Sequence, residues 1–198
     1  MKNIVVLVAL LAVLLLASCT SLSVGAGYSS NGYDVGTVDT ETSVTESGFS
    51  LTYTAMLFNL NKPDSGFHLY KSGYCSGSKS WLRISSSLGP SWVIKTDEKV
   101  SVVAGFGLSL GGSIPYSNSA KMDPIIHIGL EALFEGRFKI WNNHFIGLKG
   151  TFNFNLPNQQ TYVGPRIRND VSRSDTTYDV SNDMGYAVSL VYGWYRPM

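Results

Sequence analysis

The sequence predicts an all-β protein, an eight-stranded antiparallel up-and-down transmembrane β-barrel. Three observations carry this. Apolar and polar residues alternate with a period of two in eight successive segments, the signature of strands with two unlike faces. Charged residues make up 15% of the chain, against about 25% in a water-soluble domain, so much of the folded surface faces something other than water. After the N-terminal apolar run, no segment is apolar enough to be a membrane helix, so membrane insertion must use strands.

That run, IVVLVALLAVLLLA at 4–17, follows Lys2 and ends at Ser18 and Cys19. With its charged start, short apolar middle and small-residue exit it reads as a secretory signal peptide, too short for the roughly 20 residues that span a bilayer. Residues 1–18 are therefore expected to be a signal peptide, and 19–198 a single barrel domain. Leu16, Ala17, Ser18 and Cys19 resemble the bacterial lipobox, which implies a diacylglyceryl group on Cys19. Ordinary cleavage nearby stays open, because Ala17 and Cys19 also present small residues two apart. Cys19 and Cys75 are the only cysteines, which leaves no intramolecular disulfide framework and no zinc site. A net charge of +1 gives no electrostatic basis for a nucleic-acid partner.

The eight segments fall at 21–30, 47–60, 65–73, 80–94, 99–111, 124–141, 144–157 and 184–196. Tight connections at 61–64, 96–98 and Asn142–Asn143 use Pro, Asp and Asn, which suit hairpin turns. The connections at 31–46, 74–79, 112–123 and 158–183 are longer or rich in Gly, Ser, Asn and Asp. Alternating strand direction places the tight turns and both chain ends on one rim and the other connections on the opposite rim. Bacterial outer-membrane barrels sort their periplasmic turns and extracellular loops in this way.

The orientation of the walls follows from what opposes the apolar parity. In the fifth segment Val100, Val102, Ala104, Phe106, Leu108 and Leu110 oppose Ser101, Val103, Gly105, Gly107 and Ser109. A water-facing wall would carry Lys, Glu and Gln, whereas a narrow barrel interior needs small side chains, so the second set is assigned inward. The last segment repeats the pattern with Gly185, Ala187, Ser189, Val191 and Gly193. On the polar parities lie Arg83, Glu131, Glu135, Arg137, Lys139 and Lys149, read as a lumen charge network that must pair internally. Eight strands leave an interior just wide enough for side chains, so the network is expected to be a plug rather than a channel. If the apolar parity instead faced a soluble core, these charges would be plain solvated surface. Trp92, Trp141 and Trp194 fall near the rim of short turns, at the depth of an aromatic girdle, and Trp81 falls at the other end.

Across 21–196 the pattern resembles the small eight-stranded outer-membrane barrels of the OmpA and OmpX type. Asp183, Gly185, Val188 and Leu190 resemble the polar, glycine, hydrophobic, hydrophobic spacing of an assembly signal in a final strand. Arg196, Pro197 and Met198 then follow Tyr195, where that family usually ends on an aromatic residue. The resemblance implies location in the bacterial outer membrane, contact with its lipid and with the barrel-assembly machinery, and a structural, adhesive or ligand-binding role through the loops.

Loop 158–183, with Tyr162, Arg166, Arg168, Arg173 and Tyr178 among Asp170, Asp175, Asp179 and Asp183, is the expected contact surface for an extracellular ligand. A solvated mixed-charge loop is the plainer reading of the same residues. Three alternatives remain. A lipocalin-like lipid carrier tethered through Cys19 would line a cavity with the apolar parity. A barrel enzyme acting on lipid A would need a nucleophile, a base and an orienting group, and His68, His127 and His144 sit in different segments without an evident Ser and acid partner. A small pore would need a water-filled lumen. No catalytic residue, cofactor or metal ligand is assigned.

Overall fold

The computed structural model of the protein describes residues 19–37, 40–57, 65–78, 81–115, 125–162 and 176–196. The expected signal segment 1–18, the expected turn at 61–64 and the 163–175 portion of the expected loop lie outside these residues. The strands are β1 (Cys19–Thr37), β2 (Thr40–Leu57), β3 (Gly66–Gly77), β4 (Trp81–Lys95), β5 (Val100–Pro115), β6 (Ile125–Trp141), β7 (His144–Asn155), β8 (Asn158–Tyr162) and β9 (Thr176–Tyr195). Each pairs antiparallel with its neighbour, and β9 returns to pair with β1 from Ser21↔Tyr195 to Gly36↔Asp179. β7 and β8 are one stave of the barrel. Both pair with β9 in the same register, Phe154↔Met184 below and Asn158↔Val180 above, and they separate at Leu156 and Pro157, where proline has no N–H for the ladder. The sheet is thus a closed antiparallel barrel of eight staves.

The walls are oriented as the fifth, sixth, seventh and last segments predict. On β7, Lys149, Thr151, Asn153 and Asn155 are buried in the lumen, while Ile146, Leu148, Phe152 and Phe154 are exposed. On β5, Phe106, Leu108 and Leu110 are exposed opposite buried Ser101, Val103 and Ser109. An outer wall this apolar is stable only against lipid. The same geometry overturns the tethered-carrier alternative, which needs the apolar parity inside.

From Met184 to Trp194, ten residue steps along β9, the outward residues are apolar or aromatic. At about 3.4 Å per residue and the roughly 40° tilt usual in such barrels, that is a band about 26 Å tall, close to the roughly 25 Å of an outer-membrane barrel. Trp92, Trp141 and Trp194 are exposed near the lower rim, which carries both chain ends. There Trp141 meets His144 edge-on at 6.1 Å, and the Tyr192 hydroxyl lies 2.7 Å from His144 Nδ1. Trp81 lies at the upper end, as placed from sequence, but its indole points inward. It is 7% exposed and packs with Tyr33, Ile125 and Val180 in a cluster inside the upper barrel.

The upper connections are shorter than expected, because 74–77, 112–115 and 158–162 also lie in strands, and the largest difference is at 31–46. Residues 31–46 form no long loop: β1 and β2 stay paired from Asn31↔Glu46 up to Thr37↔Thr40, leaving only 38–39 between them. The reason is physical. Above Tyr28 and Phe49 the outward residues are Ser30, Asp34, Ser43, Thr45 and Ser47, so the strand pair has left the bilayer and its outer face meets water. The apolar half of the alternation disappears there while the ladder continues. The last strand likewise begins at Thr176 rather than near 184. A bulge between Gly32 and Asp34, opposite Asn182 at φ 50°, turns this seam above the band.

Placing a guanidinium on the outer wall should cost roughly 2 to 4 kcal/mol near the midplane and less toward the edges. Leu108→Arg and Leu148→Arg are therefore expected to impair insertion into lipid vesicles, read as loss of the heat-modifiable folded band on a gel. Ser109→Arg, on the inner wall, should fail by overpacking instead.

Candidate functional site

The lumen holds two ion clusters, each built from strands that are distant in sequence. In the upper one, Arg83 on β4 lies 3.9 Å from Glu46 on β2 and 3.4 Å from Asp183 on β9. The Tyr33 hydroxyl on β1 and Ser113 on β5 both donate to Glu46, Ser113 over 2.9 Å. His127 on β6 sits between Ser113, 2.9 Å from its Nε2, and Asp183, in contact with its Nδ1, and meets the Tyr33 ring edge-on at 5.1 Å. Six strands thus converge on one buried patch beneath the Tyr33, Trp81, Ile125 and Val180 cluster.

The lower cluster is centred on Arg137. Its Nε donates to Glu135 Oε1 at 2.8 Å, its Nη1 donates to Ser21 at 3.1 Å, and the guanidinium stacks over the Phe145 ring at 4.5 Å. Ser23 donates to the other oxygen of Glu135 at 3.1 Å. Tyr195 also faces the guanidinium, and its hydroxyl lies 3.2 Å from Ser101 Oγ. Between the clusters, Glu131 accepts from Ser72, and Lys149 donates to the Tyr53 carbonyl at 2.8 Å. An apolar group of Met56, Tyr70, Val93, Val103 and Leu133 fills the adjoining space toward the lower rim.

Of the six residues that the sequence singles out for the lumen network, Arg83, Glu131, Glu135, Arg137 and Lys149 are buried, at 2% exposure or less. Their pairing differs from what parity alone suggests. Arg83 turns to Glu46 and Asp183 rather than to Glu131 or Glu135, and Glu135 is held by Arg137 on its own strand. Lys139 does not join them. It is half-buried at the lower rim, where its backbone N–H donates to Lys99 at 2.7 Å and the ladder shifts register between Lys139 and Trp141. Lys139 keeps the inward parity of its register partner Phe145, but it lies at the open lower mouth of the barrel with Lys95, Asp97 and Tyr195, below the enclosed part of the lumen.

Glu46 escapes a reading of the sequence because its segment lacks apolar alternation. The histidine reading is also corrected: His127 has both a serine and an acid partner, Ser113 and Asp183. This triplet follows the order of a nucleophile, base and orienting acid. Two features set it apart from a working nucleophile. The single proton of the Ser113 hydroxyl points to Glu46 rather than to His127, and all three side chains are buried beneath the upper apolar cluster. His68 contacts Thr20 at 3.3 Å, and His144 belongs to the aromatic group at the lower rim. Of the proposed loop contacts, Arg166, Asp170, Arg168, Arg173 and Asp175 lie outside the described residues. Asp183 belongs to the lumen.

A closed barrel of eight staves with an apolar outer band and an ionic interior defines a β-barrel of the small outer-membrane type. The chain is similar in fold to Neisserial surface protein A, at TM-score 0.50 and 16% identity over 88% of this chain and 97% of that one. It is similar to the outer membrane protein OprG of Pseudomonas aeruginosa, at TM-score 0.57 and 11% identity over 90% and 98% of the two chains. The N-terminal β-barrel domain of Pseudomonas aeruginosa OprF gives TM-score 0.52 and 11% identity over 89% and 97%. At these identities the likeness is one of fold. No family model matches the sequence, and no curated protein does.

Removing one side of a buried pair leaves an uncompensated charge, at a cost of about 3 to 5 kcal/mol. Arg83→Met strands Glu46 and Asp183 together and is expected to lower the unfolding midpoint in urea clearly. Lys139→Met, at the wet rim, should shift stability by no more than about 0.5 kcal/mol.

Proposed function

We propose that the protein is a small outer-membrane barrel with a plugged lumen, which acts as a structural or surface-interaction element through its upper rim rather than as a transporter or enzyme. The observation that carries this is the lumen itself: Arg83, Arg137 and Lys149 and the carboxylates around them are buried at every level of the barrel. An eight-stranded interior has room for side chains and little else, and ionic side chains so enclosed are held by each other. The apolar cluster of Tyr33, Trp81, Ile125 and Val180 above and that of Met56, Tyr70, Val93, Val103 and Leu133 below add two constrictions in series. The rim with both chain ends is read as periplasmic, which puts the β1–β2 extension outside the cell.

Cys19 opens β1 at that lower rim, half-buried, with its thiol donating to the Ser21 carbonyl at 2.8 Å. A mature N-terminus at this residue would sit at the membrane edge, where a diacylglyceryl group can enter the leaflet beside the barrel. The lipobox-like Leu16 to Cys19 run supports that reading.

In planar bilayers the purified protein is expected to give no steady single-channel current. A large, stable conductance would mean a water-filled lumen and would move a small-pore function ahead. The mass of the mature protein from a bacterial host should carry acyl additions that Cys19→Ala abolishes, and an unmodified N-terminus at Thr20 or beyond would end the lipidation reading.

A further inference from the structure

The β1–β2 extension leaves one sheet edge open above the bilayer. Beyond Phe49↔Gly77, β2 has β1 on one side and, among the described residues, no strand on the other. Successive residues of an antiparallel strand turn their backbone groups to opposite sides. Thr37 and Thr40 close a hairpin with only 38–39 between them, so they are its hydrogen-bonded pair, and Thr42, Val44 and Glu46 bond to β1 in the same phase. Glu41, Ser43 and Thr45 therefore aim their N–H and C=O groups at the open side. Proteins commonly blunt such an edge with Pro, Lys or a bulge. The stretch from Thr40 to Gly48 has neither residue and no register shift, and its inward charge, Glu46, is taken up by Tyr33 and Ser113.

A second observation lies at the foot of this edge. Where β3 stops, a notch opens between Glu46 and Gly48 of β2 and Gly77, Trp81 and Arg83 opposite. A Cβ built on Gly77 meets nothing within 4 Å. Arg83, which lines the notch, is 2% exposed, yet its Nε and Nη1 donate to no acceptor among the described residues. A buried donor without an acceptor is costly, so a carbonyl or hydroxyl oxygen brought into the notch would be held there.

From the open backbone and the unpartnered guanidinium we propose that the upper edge of β2 is a strand-addition site for an extended segment of an extracellular polypeptide. Donors and acceptors repeating every second residue are matched by another extended backbone. The inward parity of the added segment is apolar, because Val44 beside it packs on the Tyr33, Trp81, Ile125 and Val180 cluster. Its outward parity is polar, like exposed Ser43 and Thr45, and its lowest residue brings an acceptor to Arg83. The added strand stands directly above β3 and the start of β4, so a chain continuing downward would run into them. A second barrel in the same membrane, whose β2 must descend into its own wall, therefore does not fit, whereas a segment that enters and leaves upward does. The inference deepens the surface-interaction reading and rests on the upper rim being the outer one.

The probe is a capped octapeptide of alternating Thr and Val, and the readout is residue-resolved amide hydrogen exchange of the micelle-bound barrel by NMR. Without peptide, the amides of Glu41, Ser43 and Thr45 are expected to exchange fast and those of Thr42, Val44 and Glu46 slowly. With peptide at about ten times its Kd, exchange in the first set should slow about tenfold while the second set stays unchanged. The same peptide N-methylated at every residue, which has no donors, should protect nothing. Thr45→Pro removes one edge donor and spares the β1 ladder, as Pro does on edge strands. It should keep heat-modifiable migration and lose the protection. Equal slowing of both sets, or of neither, overturns the site. So do first-set amides that are slow before peptide is added: slow at every dilution, they are covered by a segment of this chain, and slow only in concentrated protein, by a second copy. Orientation is read separately, by labelling Thr45→Cys in a Cys75→Ser background on whole cells with a membrane-impermeant maleimide. Labelling is expected. Its absence strikes the surface reading and with it the extracellular partner, whereas lost protection in a labelled barrel strikes the edge alone.

Discussion

Hydrocarbon offers no hydrogen-bond partner to an amide, so every N–H and C=O of a membrane-spanning sheet must be paired within it. The β1–β9 seam meets that demand. From Ser21↔Tyr195 upward the first strand is zipped to the last, and the sheet has no free edge within the bilayer. Because the seam joins the two ends of the chain, no segment can satisfy its backbone in lipid before the whole barrel exists. The rest of the molecule is a consequence of closing a sheet at this size.

Closure at eight staves fixes a narrow interior, and the inward residues are matched to it by size. A Cβ on Gly105 or Gly107 would come within 2.9 Å of the Tyr70 ring and 2.8 Å of its hydroxyl, so these glycines make the space that this buried tyrosine occupies. Gly193 does the same for Phe145, whose ring lies 2.3 Å from where a Cβ would stand. That ring in turn carries the Arg137 guanidinium, and the stack has consequences for charge. An arginine held between aromatic rings and one carboxylate keeps its position without water, which a bare ammonium does less well. The packing of glycine against aromatic residues and the placement of charge are therefore one problem, solved together at each level of the lumen.

This explains which parts of the structure were legible in the sequence. Within the bilayer both walls impose a rule on residue type, so the parities of β5, β6, β7 and β9 could be read directly, and five of the six proposed lumen charges are buried. Above the bilayer only the inner wall imposes one. Asn31, Tyr33 and Glu46 still point inward and are buried, but their outward neighbours are serine, threonine and aspartate, so the alternation vanished and 31–46 read as a loop. Ion partners were less legible still. Parity says which wall a side chain lines, not which of several carboxylates a long arginine reaches across a tilted barrel, and the main acceptors of Arg83 lay in segments read as loops. Lys139 shows the complementary failure: it keeps the inward parity of Phe145, its register partner, but parity says nothing of depth, and it lies at the mouth where the wall no longer encloses it.

The strand extension also changes what the upper rim can offer a partner. A flexible loop must lose conformational entropy to bind, whereas a sheet already held in place does not. Here the hold comes from both sides of the wall. On the outside, Ser43 of β2 donates to one oxygen of Asp34 at 2.6 Å and Asn182 of β9 donates to the other at 2.8 Å, so a single β1 carboxylate staples three strands. On the inside, Tyr33 of β1 donates to Glu46 of β2, and Glu46 takes Ser113 of β5 and faces Arg83 of β4. The lumen cluster and the surface staple thus brace the same strand pair from opposite faces. The buried ionic network acquires a second role in this geometry: it anchors a polar platform that rises above the bilayer.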